Sequence, residues 1–370
     1  MNVLFLSVST GGGHFKAAEA IKHTVELKYP RSNNLIIDSL KYINPMVDKL
    51  VVGGYLNTVR VSPQIYGKLY RLSEYNSNIN YFGKAINNLL SSRLRTLVED
   101  RRPSIAVCTH PFPLQMLSAL KKKYAFSLPL IGVITDFTTH SLWVQEGVEA
   151  FIVAHDTLKM HMIARGIPEK CIYSYGIPVG ENFRLKKTRS TLLGELGLEN
   201  KTTVLVMGGS LGLGEISGAF LALLRSALDV QIVVITGQNT RMKAELECIS
   251  AGSRKPVKIL SYTNRVSDYM DVSDLIITKP GGITTSEVLI KQLPMLIMSP
   301  IPGQEEENAQ FLCREGAAMR INSMSGLESQ LQHLFNSPHK LAEMKKAAGA
   351  LAKPDASSRI VNLMESLVHC

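Results

Sequence analysis

Short runs of apolar, often β-branched residues alternate with stretches of helical periodicity along the whole chain. In the first half these runs are Val3–Ser7, Leu35–Asp38, Ile105–Thr109, Leu130–Thr135, Ala150–Ala154 and Cys171–Tyr175. In the second half Thr203–Met207, Gln231–Ile235, Val257–Leu260, Leu275–Thr278, Met295–Ser299 and Ala318–Ile321 repeat the pattern. Strands separated by amphipathic helices predict βαβ units and parallel sheets. Two such series predict an α/β chain with two doubly wound domains, as its 370 residues, too many for one core, also suggest.

The joint is expected after Gly176-Ile177-Pro178, where the polar and basic stretch Glu181–Lys201 separates two apolar strands. This gives an N-terminal domain over 1–178 and a C-terminal domain over 179–355. The last segment, Ser357–Cys370, reads as an amphipathic helix with Ile360, Leu363, Met364 and Leu367 on one face. Residues 356–370 are therefore expected to pack back on the N-terminal domain. Glycine-rich stretches at 11–13 and 208–214 each follow the first strand of a domain. Ligands of such sheets bind beyond the carboxyl ends of the strands, so a cleft between the domains is the expected site.

Residues 41–90 break the βαβ rhythm, with tyrosines interleaved among Lys, Arg, Leu and Val. Such a stretch suits a bilayer interface, and it equally suits a helical insertion with a polar outer face. Charge adds to the first reading. Residues 1–130 carry 17 Lys and Arg against 7 Asp and Glu, the whole of the net charge of +10. A basic half suggests an anionic partner, and no zinc finger, RRM-like motif or dense arginine tract points to nucleic acid. Lipid headgroups lead, although a merely solubilising charge fits too. No apolar run approaches the length that spans a bilayer and no signal peptide is evident, so attachment to a membrane would be peripheral. Five scattered cysteines lack metal-ligand spacing, which fits a reduced intracellular protein without structural zinc.

The stretch Ser9-Thr10-Gly11-Gly12-Gly13-His14 lies between the first strand and an alanine-rich helix. It is neither a G-x-G-x-x-G fingerprint nor a Walker A loop. Its glycines allow close approach to a ligand, and His14 sits where a hydroxyl could be deprotonated near neutral pH. A turn histidine bonded to backbone explains it as well. The loop at 207–216, with Gly209 and Ser210, could cradle phosphates, though many βα turns are glycine-rich for steric reasons. The block 273–312 reads strand, Lys279-Pro280-Gly281-Gly282, a helix from near Thr284 with Glu287 in its first turn, a strand, then Pro302-Gly303-Gln304-Glu305 and a helix with Asn308. Two glycine-led helix N-termini would supply N–H donors to a diphosphate, and Glu287 suits a ribose diol. Glu287 would also complement the helix dipole. Asp136, His140 and Trp143, after a strand of the first half, could contact an acceptor or orient His14, or simply pack.

The segments 9–21, 62–74, 134–144, 175–183 and 278–312 together resemble the diacylglycerol glycosyltransferase family. Thr285 stands where a bulkier apolar residue is commoner. The resemblance implies a GT-B fold, two Rossmann-like doubly wound domains facing a central cleft, with acceptor on the N-terminal and UDP-sugar on the C-terminal side. It implies inverting transfer of a hexose from UDP-glucose or UDP-galactose to diacylglycerol, with no cofactor and no metal; the absence of a transit peptide leans to a bacterial enzyme, in which glucose is the commoner sugar. His14 would be the general base, with Gly12, Gly13, Asp136 and His140 on the acceptor side. Gly209, Ser210, Lys279, Gly281, Gly282, Thr284, Gln304 and Glu305 would serve the diphosphate and sugar. Val266 would meet the uracil through its backbone, Glu287 the ribose, and Asn308 would support them. An anionic membrane surface, met through the basic domain and residues 41–90, and a place on the inner face of the cell membrane follow. The alternatives are a UDP-GlcNAc transferase with an undecaprenyl-linked acceptor, a UDP-sugar 2-epimerase-like enzyme and a silent UDP-sugar sensor.

Overall fold

The computed structural model describes residues 1–75, 92–210, 212 and 214–369. All twelve apolar runs form parallel strands, in two six-stranded sheets. The chain divides into two compact units. One comprises Met1–Gly180 with Ile301–Gln304 and Lys353–Cys370; the other comprises Glu181–Pro300 and Glu305–Ala352.

In the first unit the strands are β1 (Val3–Ser7), β2 (Leu35–Asp38), β3 (Ile105–Cys108), β4 (Leu130–Val133), β5 (Ala150–Ile152) and β6 (Ile172–Tyr173). Their order across the sheet is β2-β1-β3-β4-β5-β6. The connecting helices are α1 (Gly12–Lys28), α2 (Ser39–Ile43), α3 (Pro45–Val61) and α4 (Pro63–Tyr75), then α5 (described over 92–101), α6 (Pro111–Tyr124) and α7 (Asp156–Ala164). The insertion at 41–90 is thus helical as far as 75, broken at Asn44 before Pro45 and at Ser62 before Pro63, where a residue preceding proline disfavours helix. The part of that stretch beyond Tyr75 lies outside the described residues.

The second unit has β7 (Thr203–Met207), β8 (Gln231–Ile235), β9 (Val257–Leu260), β10 (Leu275–Thr278), β11 (Met295–Ile297) and β12 (Ala318–Arg320). They run in the order β12-β11-β10-β7-β8-β9. Its helices are α8 (Arg189–Leu196), α9 (Ile216–Arg225), α10 (Thr240–Ser250), α11 (Val266–Val272), α12 (Gly282–Lys291), α13 (Gln304–Arg314), α14 (Leu327–Phe335) and α15 (Pro338–Leu351). Val204, Val206, Phe220, Ile232, Val234, Ile277 and Leu296 lead a core whose central residues are completely buried. The last helix, α16 (Ala356–Val368), returns to the first unit. It lays Ile360, Val361 and Met364 beside Ile21 and Val25 of α1 over Phe5 and Val107 of the sheet, with Leu367 partly buried at the margin. At their edge the Tyr29 hydroxyl donates to Glu365 Oε1 at 2.5 Å.

Strand order reverses once in each sheet. In the first unit the chain leaves β1 for β2 on one side and crosses to β3 on the other; in the second it leaves β7 for β8 and later crosses to β10. A crevice opens at such a point beyond the carboxyl ends, because the helices following the two central strands lie on opposite faces. Leu6 pairs with Cys108 at the first reversal and Met207 with Thr278 at the second. The loops that follow these residues are where a ligand would meet backbone.

Candidate active site

His14 lies in the first turn of α1, directly past the β1 end of the first crevice. Its Nδ1–H donates to the backbone carbonyl of Thr109, just past β3, at 2.8 Å, and Thr135 Oγ1 lies 2.8 Å from the same nitrogen. A carbonyl can only accept, so the proton sits on Nδ1 and Nε2 carries the lone pair. Burial pushes the imidazole pKa down to about 4, against the smaller upward pull of the Thr109 bond. The His110 ring stands edge-on to it, centroids 4.8 Å apart. His110 has the opposite tautomer: its Nδ1 accepts the Phe112 backbone N–H at 3.2 Å, capping α6. Burial first, and His14 second, hold His110 far below the ordinary imidazole range. Two neutral imidazoles thus meet here, one with its lone pair committed to a helix cap.

Gly12 and Gly13 open α1, whose N-terminal N–H groups have no side-chain cap. Asp136 follows Thr135 directly and is half-buried. His140 is a tie between elements. Its Nδ1 accepts the Leu142 N–H at 3.1 Å, and its Nε2 lies 3.3 Å from Glu74 Oε2 and 3.4 Å from the Tyr70 carbonyl, both on α4. Glu74 also accepts the Ser141 N–H at 2.8 Å and pairs with Arg165. His140 therefore fastens α4 to the loop after β4. Trp143 is buried in the 3-10 turn Ser141–Trp143.

In the second unit the loop after β7 turns at Gly209 (φ 71°) and Gly212 (φ 60°). A Cβ on Gly212 would lie 2.0 Å from the Thr236 carbonyl oxygen, so only glycine lets this loop lie on the turn after β8. The Ser210 carbonyl accepts the Gln238 N–H from that turn at 3.0 Å. Past β10, Gly281 is the N-cap of α12 and has no side chain to satisfy the helix's first N–H groups. The helix starts at Gly282, two residues before the expected Thr284. Glu287 consequently falls in the second turn and not the first, and no acidic residue occupies the first turn. Gly281 (φ −68°, ψ 141°) is the non-helical N-cap, and the carboxylate nearest to it comes from outside the helix: Glu305 Oε1 lies 3.9 Å from where a Cβ on Gly281 would be. Thr284 and Glu287 are half-buried on this helix, whereas the Thr285 hydroxyl is buried with no hydrogen-bond partner among the described residues.

Lys279 is nearly buried, and its Nζ donates to Glu305 Oε1 and Oε2 at 2.9 and 3.3 Å. Its methylene stem runs beside Gly214. The expected phosphate cation is thus already paired with the expected sugar carboxylate. Asn308, wholly buried, donates from Nδ2 to the Pro280 carbonyl at 2.9 Å and so braces the Lys279–Gly282 loop. Val266 opens α11. Gln304 belongs with the first unit, where the Tyr66 hydroxyl donates to its Oε1 at 2.6 Å.

Thr109, His110, Thr135 and Tyr66 join the expected residues at these contacts. A histidine followed by proline at the start of α6 was the available sign for His110; the Thr109 contact uses backbone and leaves none. Among the described residues no group of three or more His, Cys, Asp or Glu is placed to hold a metal ion. No helix of the described residues is long and apolar enough to cross a membrane.

Comparison with known proteins agrees across the chain. Residues 14–179 match the family described as monogalactosyldiacylglycerol (MGDG) synthase, and residues 203–360 match the glycosyltransferase family 28 C-terminal domain. A processive diacylglycerol β-glucosyltransferase of Bacillus cereus is 30% identical over 372 aligned residues, covering 99% of this chain and 94% of that protein. Among solved structures, MurG of Acinetobacter baumannii superposes with a TM-score of 0.64 at 16% identity, covering 99% of both chains. HepE of Anabaena, solved in complex with UDP, gives 0.60 at 13% identity, covering 99% of this chain and 100% of that one. These two likenesses carry the fold, which is GT-B. With both halves and the full length matched, the chain belongs to the diacylglycerol glycosyltransferase family.

Proposed function

We propose that the protein transfers a hexose, glucose, from its UDP-sugar to the free hydroxyl of diacylglycerol with inversion, His14 being the general base. The observation that carries this reading is the His14 tautomer. Its Nδ1–H is engaged by the Thr109 carbonyl, which leaves Nε2 as the proton acceptor beyond the carboxyl end of β1. As the acceptor oxygen attacks the anomeric carbon, the bond from that carbon to the diphosphate breaks. The hydroxyl proton passes to Nε2, and UDP leaves with the electron pair. Attack from the opposite face turns an α-linked donor into a β-glycoside. The uncapped N–H groups at Gly281 and Gly282 stabilise the charge growing on the diphosphate, together with the turn at Gly209 and Ser210. Glu287 receives the ribose hydroxyls, the backbone at Val266 the uracil, and Gln304 and Glu305 the hexose hydroxyls. With this electrostatic support the reaction requires no metal, and activity in excess EDTA should match that in magnesium.

The choice of glucose follows the Bacillus relative's name, and the MGDG synthase match over 14–179 makes galactose the arm to test against it. Attachment to an anionic membrane at the inner face of the cell membrane is part of the reading. It is supported by Met46 and Leu50 on α3, 79% and 77% exposed, by Ile65 and Leu72 on α4, and by the neighbouring exposed Lys49, Lys68 and Arg71. The deciding experiment incubates the protein with diacylglycerol vesicles and either UDP-glucose or UDP-galactose, and identifies the glycolipid. β-Glucosyl diacylglycerol supports the proposal. Galactolipid alone corrects the sugar. Transfer only from UDP-GlcNAc to an undecaprenyl-linked acceptor, or epimerisation of UDP-GlcNAc without a lipid, refutes it.

A further inference from the structure

Helix α4 meets the four-residue segment Ile301–Gln304 at three successive points, and this segment groups with the first unit although Pro300 and Glu305 on either side belong to the second. The Tyr66 hydroxyl donates to Gln304 Oε1 at 2.6 Å. Gly67 is buried against Pro302, where a Cβ would come within 2.5 Å of the proline Cβ. Gly303 takes φ 109° and lies on the Tyr70 ring, where a Cβ would come within 3.0 Å of Cγ. Two glycines thus allow the helix and the segment to approach more closely than side chains permit, and the approach brings the Tyr66 hydroxyl to the Gln304 amide. The other end of α4 is fixed as well, since Glu74 and the Tyr70 carbonyl receive His140.

The chemistry of the pair sets its consequence. A carboxamide has two ends of nearly the same shape and opposite hydrogen-bonding character, and a half-turn about its last torsion exchanges them. A phenol is a better donor than acceptor, so Tyr66 selects the orientation with Oε1 toward itself and Nε2 away. We propose that Tyr66 is a positioning residue that sets the amide orientation of Gln304, and thereby which hydroxyl arrangement of the donor hexose is accepted. This rests on the reading of Gln304 as a contact of the donor sugar. Held this way, Gln304 offers the hexose hydrogens only. An epimer with its oxygen displaced at the contacted carbon leaves Nε2 without its partner. Without the Tyr66 hydroxyl the amide turns freely, pairs with either arrangement through one end or the other, and discrimination falls.

The test compares kcat/KM for UDP-glucose and UDP-galactose in the wild type, Tyr66→Phe, Gln304→Ala and the double variant, with diacylglycerol vesicles as acceptor. Tyr66→Phe keeps the ring and should leave Tm and the acceptor KM unchanged. The ratio between the two donors should fall about fivefold, the size expected for one neutral hydrogen bond, through donor KM and not kcat. In the Gln304→Ala background the same change should do nothing further, because it acts through that amide. If Gln304→Ala lowers the preference and Tyr66→Phe does not, or if Tyr66→Phe acts equally in both backgrounds, the inference fails while the reading of Gln304 stands. If Gln304→Ala leaves donor KM and preference unchanged, the reading of Gln304 fails and takes the inference with it. A wild type that transfers neither hexose overturns both at the level of function.

Discussion

At the β1–β3 crevice of the first unit an imidazole, a backbone carbonyl and a threonine hydroxyl meet, whereas the β7–β10 crevice of the second gathers glycines, a helix N-terminus and a lysine–carboxylate pair. Both sheets produce the crevice by the same reversal of strand order. In the first, His14 meets a carbonyl, a hydroxyl and a second imidazole, and burial keeps both His14 and His110 neutral. The second is built from fixed dipoles and one nearly buried ion pair. The lesson is that one architecture supplies two environments, one suited to moving a proton and one suited to holding an anion. Under the proposed function these are the two halves of the reaction.

The sharpest way to break this comparison is to remove the proton acceptor. His14→Ala should lower kcat by about 100-fold or more, the usual scale for losing a general base, and leave UDP affinity untouched. Calorimetric titration with UDP beside a vesicle assay separates the two. A matching loss of UDP binding would mean that the crevices do not divide the work as argued. The reciprocal change is Glu287→Ala. Losing a hydrogen bond to a carboxylate should raise the donor KM about tenfold with kcat nearly constant. An unchanged KM removes Glu287 from the ribose.

A pH profile tests the neutral character of the first crevice. With its pKa lowered to about 4, His14 stays unprotonated as the pH falls from 7 to 5, and the base is lost only as pH falls through about 4. At pH 5 the rate should therefore keep about nine-tenths of its pH 7 value on account of this group, against about one twenty-fifth for an ordinary imidazole. The acid limb of kcat/KM measured in brief assays reads this directly. A limb near 6.5 would show that His14 is solvated in the working enzyme.

The apolar pattern located every strand, and where it went astray is informative. Thr109 and Ile134-Thr135 read as strand but lie past the last ladder positions Cys108 and Val133. Their side chains are as buried as strand residues, so hydrophobic patterning cannot tell them apart. Thr109 and Thr135 are also residues that meet His14, 95 and 121 positions away in the chain. Spacing could not foresee that contact, and a backbone carbonyl leaves no mark in a sequence. The same limit hid the partners of Gln304 and Glu305. These two are neighbours in the chain, yet one receives Tyr66 from α4 and the other Lys279 from the loop after β10. A helix from near Thr284 puts Glu287 in its first turn, whereas α12 already begins at Gly282 and Glu287 falls in the second.

The smallest expected effect isolates orientation from basicity. Thr135 Oγ1 and the Thr109 carbonyl share Nδ1 of His14, but only the carbonyl fixes the tautomer. Thr135→Val keeps the volume and β-branching, and so the packing, and removes the hydroxyl. The base should remain a base, and the ring should lose part of its alignment. One neutral hydrogen bond is worth about 1 kcal/mol net, so kcat should fall about threefold to fivefold with donor KM and the acid limb unmoved. Thr135→Ser should restore the rate, since it returns the hydroxyl without the methyl. If valine costs nothing, the carbonyl alone orients His14. If valine lowers the rate and serine fails to restore it, the ring depends on the hydroxyl and the methyl together, and the first crevice is held by shape as well as by that hydrogen bond where the second is held by charge.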